Sequence, residues 1–233
     1  MSHLYRILLR TSVTRGRLLA FLAAGTLLDL IAYAIRVSDY AHREADTFGL
    51  LDTSALALYA PIVALVFATS SLGDLASDGT LVYVWLRPVA SWRVVLVALA
   101  ATLTVTLPLT LVPIWLAVAL AGAGLQQLWA LSAATALAVV AYAAVFTGFG
   151  LRVRFALIIG LVYVVIWEAG IASLGKGPAA VSIRHYAESL ASHLSGQSVA
   201  NTADPWPSVV VLVAVAAAGV VLTSVLLARQ DVA

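Results

Sequence analysis

The sequence predicts an all-α integral membrane protein, and three observations predict it. The chain of 233 residues is 63% hydrophobic and only 10% charged, with a mean hydropathy of +1.04, outside the range of soluble domains. Six apolar stretches approach the ~20 residues of helix that a bilayer core requires. Basic residues gather at alternate ends of those stretches, the pattern of a multi-pass chain. No repeat, low-complexity tract or composition break divides the sequence, so residues 1–233 are expected to form a single transmembrane domain.

The elements follow in chain order. In "HLYRILLRT", Leu4, Ile7, Leu8 and Thr11 share a helical face while Arg6 and Arg10 point elsewhere. That pattern predicts a short helix lying on the membrane surface. The start "MSHLYRILLRTSVTRGR" has no continuous apolar core and no small-residue cleavage site, so no signal peptide is expected. Spans are expected over Leu18–Ile35, Ser54–Leu72, Val94–Leu120, Leu128–Gly150, Phe155–Ser173 and Ser208–Ala228. The third is about 40 Å long at 1.5 Å per residue, too long for a straight, upright crossing. Pro108 and Pro113 predict a kink or partial unwinding there, with neighbouring helices satisfying the freed carbonyls. Leu174–Pro207 is the one long stretch that does not span. Within it "SIRHYAESLASHL" puts Ile183, Tyr186, Leu190 and Leu194 on one stripe, with His185, Glu188, Ser192 and His193 on other faces, so it reads as an amphipathic helix.

Charge sets the expected orientation. With the N-terminus inside, Arg6, Arg10, Arg15, Arg17, Arg87, Arg93, Arg152, Arg154 and Arg229 are cytoplasmic, while Arg36, Arg43, Lys176 and Arg184 are outside, nine against four. Both termini are then cytoplasmic, Leu174–Pro207 lies outside, and the chain resides in the cell membrane. The net charge of +2 is too small to suggest a nucleic-acid partner. Without cysteine there is no disulfide framework, thiolate metal site or thiol nucleophile.

"SDGTLVYVWLRPVASWR", Ser77 to Arg93, falls between the second and third spans. An acidic residue precedes Gly79-Thr80-Leu81, then six residues, Pro88-Val89, and a basic residue before an apolar run. This resembles the cytoplasmic segment of ABC-2 type transporter permeases, and the six-span layout, basic N-terminal helix and long outer segment extend the resemblance along the chain. Leu75 stands where that family commonly has a Glu, and Ala98 where it often has a Lys. The resemblance implies a coupling helix over Gly73–Arg93, with Asp74, Asp78, Gly79, Thr80, Leu81, Arg87 and Pro88 meeting a separate ABC ATPase subunit. ATP and magnesium would sit on that partner, with no cofactor and no catalysis in this chain. A second copy, or a homologous permease, would complete the pathway. Two alternatives stay open: a haem-exporter B-like permease, suggested by Pro108, Leu109 and Pro113, and a non-transporting scaffold or sensor.

Other motifs carry less chemistry. "GIASLGKG", Gly170 to Gly177, nearly matches a phosphate-binding loop, but Gly177 supplies no hydroxyl for magnesium and the segment follows a span. "DLASDG" lacks the downstream acids of a phosphotransferase site. His185, Glu188 and His193 share a broad helical face, which reads as a wetted polar surface before a zinc site. Asp29 and Glu168 are the carboxylates inside the expected spans, where an ionisable group is expensive and by default functional. Asp29 has Tyr33 and Arg36 within helical reach. Glu168 is placed toward the outer end of its span. With Tyr163 and Trp167, the two acids are the candidate lining of a translocation path or gate.

Overall fold

The computed structural model describes residues 2–38, 43–77, 90–199 and 201–229, and among these there is no strand. The amphipathic start forms α1 (Ser2–Ser12), with Leu8 buried among Leu72, Val94, Val95, Leu151 and Leu227 while Arg6 is exposed. Next is α2 (Arg15–Ser38). The second long helix starts earlier than its expected Ser54. It runs from α3 (Arg43–Leu50) through a π-helical stretch, Leu51–Tyr59, into α4 (Ala60–Ser77). Phe48, Leu51, Ala55 and Tyr59, all buried, continue the apolar stripe back to that point.

The third long helix, α5 (Ser91–Ala121), continues through both prolines. Pro113 has no N–H to give the Leu109 carbonyl four residues back. The Tyr59 hydroxyl supplies the missing donor at 3.0 Å, as expected of a proline accommodated inside a membrane bundle. Gly122, at φ 73°, ends the helix in the left-handed conformation that glycine adopts without strain. α6 (Leu125–Arg152) runs through the centre, packed on α4, α5 and the last helix. Small residues permit these approaches: a Cβ at Gly150 would collide with the Thr69 backbone, and one at Gly219 would lie 2.8 Å from the Ala144 carbonyl carbon.

The remaining elements are α7 (Ala156–Val162), a second π-helical stretch (Tyr163–Glu168), a 3₁₀ turn (Ile171–Leu174), α8 (Lys176–Ala179), α9 (Ile183–Ser195) and α10 (Pro205–Ala228). Among the described residues, five helices are long and apolar enough to cross a membrane: Arg15–Val37, Glu44–Gly73, Ser91–Ala121, Leu125–Arg152 and Pro205–Ala228. The expected fifth span is different. Its continuous helix covers Ala156–Glu168, at most about 20 Å of rise against a ~30 Å hydrocarbon core.

The bundle has two distinct ends. α1, the start of α5 and the ends of α4, α6 and α10 meet through Leu8, Leu72, Val94, Leu151 and Leu227. Arginines 6, 17, 93, 152, 154 and 229 belong to this end. At the other end Gln126 donates to the Leu194 carbonyl and Gln127 to the Glu44 carbonyl, at 3.0 and 3.2 Å, tying α9 and α3 to the start of α6.

Candidate functional site

The two π-helical stretches touch each other and the start of α9, and there the bundle interior is polar. A π-turn widens the helix by one residue and re-aims the side chains beyond it, a device frequent at functional sites. Here it presents Asp52 from one stretch and Glu168 from the other.

Glu168 is fully buried, at 0% exposure. Its Oε1 accepts from the Tyr163 hydroxyl at 2.7 Å and the Ile183 N–H at 3.1 Å. Its Oε2 accepts from the Ser182 hydroxyl and, at 3.1 Å, the Arg184 N–H. Ser182 also caps α9, accepting from the His185 N–H at 3.1 Å. The first N–H groups of a helix have no internal partners and carry the positive end of its dipole. A carboxylate from another element therefore closes the buried start of α9. An unsatisfied buried donor costs about 1–3 kcal/mol, so this N-terminus requires Glu168 or an equivalent acceptor.

Arg184 extends the network sideways. Its backbone binds Glu168, while its Nη2 reaches Asp52 Oδ2 at 3.1 Å and its Nε lies 4.0 Å from Glu188 Oε2. One guanidinium thus faces two carboxylates and, through its own main chain, a third. Asp52 Oδ1 and Arg184 Nε remain buried without a hydrogen-bond partner. Beneath Glu168, Tyr142 stacks on Phe146 at 5.8 Å and Phe146 meets Tyr163 edge-on at 6.4 Å.

A cavity of about 260 Å³ reaches this network, lined by Glu168, Ser182, Arg184, His185, Glu188 and Asn201 among others. It offers carboxylates, an imidazole and a guanidinium to small polar or charged groups. Among the described residues, no group of His, Asp and Glu converges as a metal site. Glu188 turns toward Arg184, and His193 Nδ1 lies 2.9 Å from the Ser189 carbonyl.

Of the candidate pathway residues, Tyr163 and Glu168 are joined directly, and Trp167 is half-buried beside them. Counting residues from Ala156, Glu168 lies about 18 Å along its helix. It is enclosed within the bundle. Asp29 is elsewhere, on α2, 8% exposed with Oδ1 lacking a hydrogen-bond partner. Arg36 turns away from it to the Leu120 carbonyl at 3.4 Å. Of the expected coupling residues, Asp74 falls in α4. Asp78, Gly79, Thr80, Leu81, Arg87 and Pro88 lie outside the described residues.

The sequence reading missed Asp52, Ser182 and Arg184. Extending the apolar stripe of the second span back to Phe48 brings Asp52 inside a span, and a serine just before an amphipathic segment is a readable helix cap. No family model, curated protein or solved structure matches this chain.

Proposed function

We propose that this chain is the permease subunit of an ATP-driven ABC-2 type exporter, coupled through Gly73–Arg93 to a separate ATPase. The observation that carries the reading is the separation of two features along one bundle. α4 ends and α5 begins at the arginine-rich end, and the Gly-Thr-Leu and Pro-Val pattern falls between them in the sequence. The buried network of Asp52, Glu168 and Arg184 opens through its cavity toward the other end. A coupled exporter needs this layout: force enters at one face and a gate yields nearer the opposite one.

In this reading Ala156–Glu168 and Ile183–Ser195 are two half-helices that together make the fifth of six crossings. Broken backbone at membrane depth is tolerated where protein surrounds it, and half-helix termini are recurrent binding and gating points in transporters. Glu168 holds the junction closed through the start of α9. Nucleotide-driven tilting of α4 against α6 would strain the Asp52–Arg184 pair and open the cavity. Both termini are cytoplasmic, a second copy faces the exposed sides of α2 and α10, and the apolar surroundings favour an amphipathic substrate.

The test is co-purification with an ABC ATPase and stimulation of its ATP hydrolysis. Asp78→Arg combined with Gly79→Trp should abolish both. Retention of complex and stimulation in that variant would sink the coupling assignment. A complex that forms but never transports would favour the scaffold reading.

A further inference from the structure

The arginine-rich end holds a second cavity, of about 620 Å³, that the gating network does not use. Its origin lies in the glycines. Gly73 and Gly150 bring α4 and α6 backbone to backbone, a Cβ at Gly73 falling 2.8 Å from the Gly150 carbonyl oxygen. Two residues later α6 ends, and the chain swings through 153–155 into α7, leaving space between the diverging helices.

Arg17 at the start of α2, Arg152 in the last turn of α6 and Arg154 in the turn before α7 all line that space. Thr69 and Ser70 line it too, but each hydroxyl already donates to a carbonyl of its own helix, at 2.7 and 2.9 Å. Among the described residues the lining contains three guanidinium groups and no carboxylate. Like charges gathered around a concave surface favour an anion, and arginine suits a phosphate in particular because its fork matches the oxygens. The volume falls within the roughly 300–1,000 Å³ of small-molecule sites.

The neighbouring surface narrows the choice of anion. Leu157 belongs to the cavity wall, and Ile158, Ile159, Leu161 and Val162 of the same helix are exposed. A charged pocket at the end of a span therefore borders an apolar track along that span. We propose that this cavity binds the phosphate of an anionic phospholipid, whose acyl chains lie along the exposed side of α7. Basic pockets between transmembrane helices bind lipid headgroups by this chemistry. The site is independent of the exporter reading, since it requires only that the helices lie in a bilayer.

The experiment uses the full chain purified from mixed phosphatidylcholine–phosphatidylglycerol membranes, with retained lipid measured by native mass spectrometry. Phosphatidylglycerol should be retained preferentially. Replacing Arg17, Arg152 and Arg154 together by Gln should reduce that preference about tenfold or more, given the contribution of each basic residue near an anionic surface. Replacing them by Lys should keep most of it, which guards against a merely misfolded Gln variant. Replacing exposed Arg6, Arg93 and Arg229 by Gln removes the same charge from the same end and should leave the preference intact. An equal loss in this control would overturn the site in favour of general surface charge. Displacement of phosphatidylglycerol by millimolar inorganic phosphate would assign the cavity to free phosphate and overturn the lipid assignment.

Discussion

The hydroxyl of Tyr59 stands 3.0 Å from the carbonyl of Leu109, the acceptor that Pro113 leaves without its helical partner. The same hydroxyl is 3.0 Å from the Phe21 carbonyl, so one proton is shared between α2 and α5. Gly25 completes the junction, since a Cβ there would press on the Pro113 ring at 2.7 Å. A proline defect, a tyrosine at the end of a π-helical stretch and a glycine on a third helix therefore act as one joint.

Tyr59→Phe should destabilise the protein by about 1–2 kcal/mol, the cost of leaving a buried carbonyl unsatisfied. Pro113→Ala restores an N–H for Leu109. In that background Tyr59→Phe should cost measurably less, which a double-mutant cycle in detergent denaturation would show. Equal losses in the two backgrounds would mean that Tyr59 acts through packing alone.

Much of the helical layout was legible because lipid demands long apolar runs, and five of them fold as continuous helices. The exception is instructive. Phe155–Ser173 is apolar throughout except for Glu168, and composition alone favours one uninterrupted helix. The chain instead leaves the helix after Glu168, because that carboxylate meets four donors, three of them from Ser182, Ile183 and Arg184. Local periodicity carries no information about donors fourteen or more residues away. Gly170 and Gly175 were the readable punctuation. Asp52 was hidden by a boundary drawn at Ser54, two residues too late. Arg184 was read only as an outer charge, since its pairing partner lies on another helix.

Glu168→Gln should lower stability by about 2 kcal/mol or more. The amide offers one acceptor oxygen where the carboxylate offers two, so its NH₂ group must face a backbone N–H of Ile183 or Arg184. Hydrogen bonds to a charged group contribute about 1.5–3 kcal/mol each. Amide exchange at residues 183–185 should accelerate in the same variant. Ser182→Ala should show a smaller loss, in the 0.5–2 kcal/mol range of a helix cap. Unchanged melting and exchange in Glu168→Gln would exclude the anchoring role.

Orientation in the membrane is the prediction on which the proposed function depends most directly. Nine basic residues against four predict that α1 and the ends of α4, α6 and α10 lie in the cytoplasm, and Ser182 and Ser198 are the natural positions to probe the predicted outer segment. The structure separates them. Ser182 is 1% exposed and bonded to Glu168, so a cysteine there would disturb the network and remain unreactive. Ser198 is exposed. With no native cysteine to interfere, Ser198→Cys should react with an impermeant maleimide on intact cells. Thr14→Cys, exposed between α1 and α2, should react only after permeabilisation. The reversed pattern would put residues 78–89 outside the cell, away from any ATPase, and the exporter reading would fall with it. Labelling of both sites in intact cells would mean a mixed orientation, which the arginine-rich end should suppress by its asymmetry.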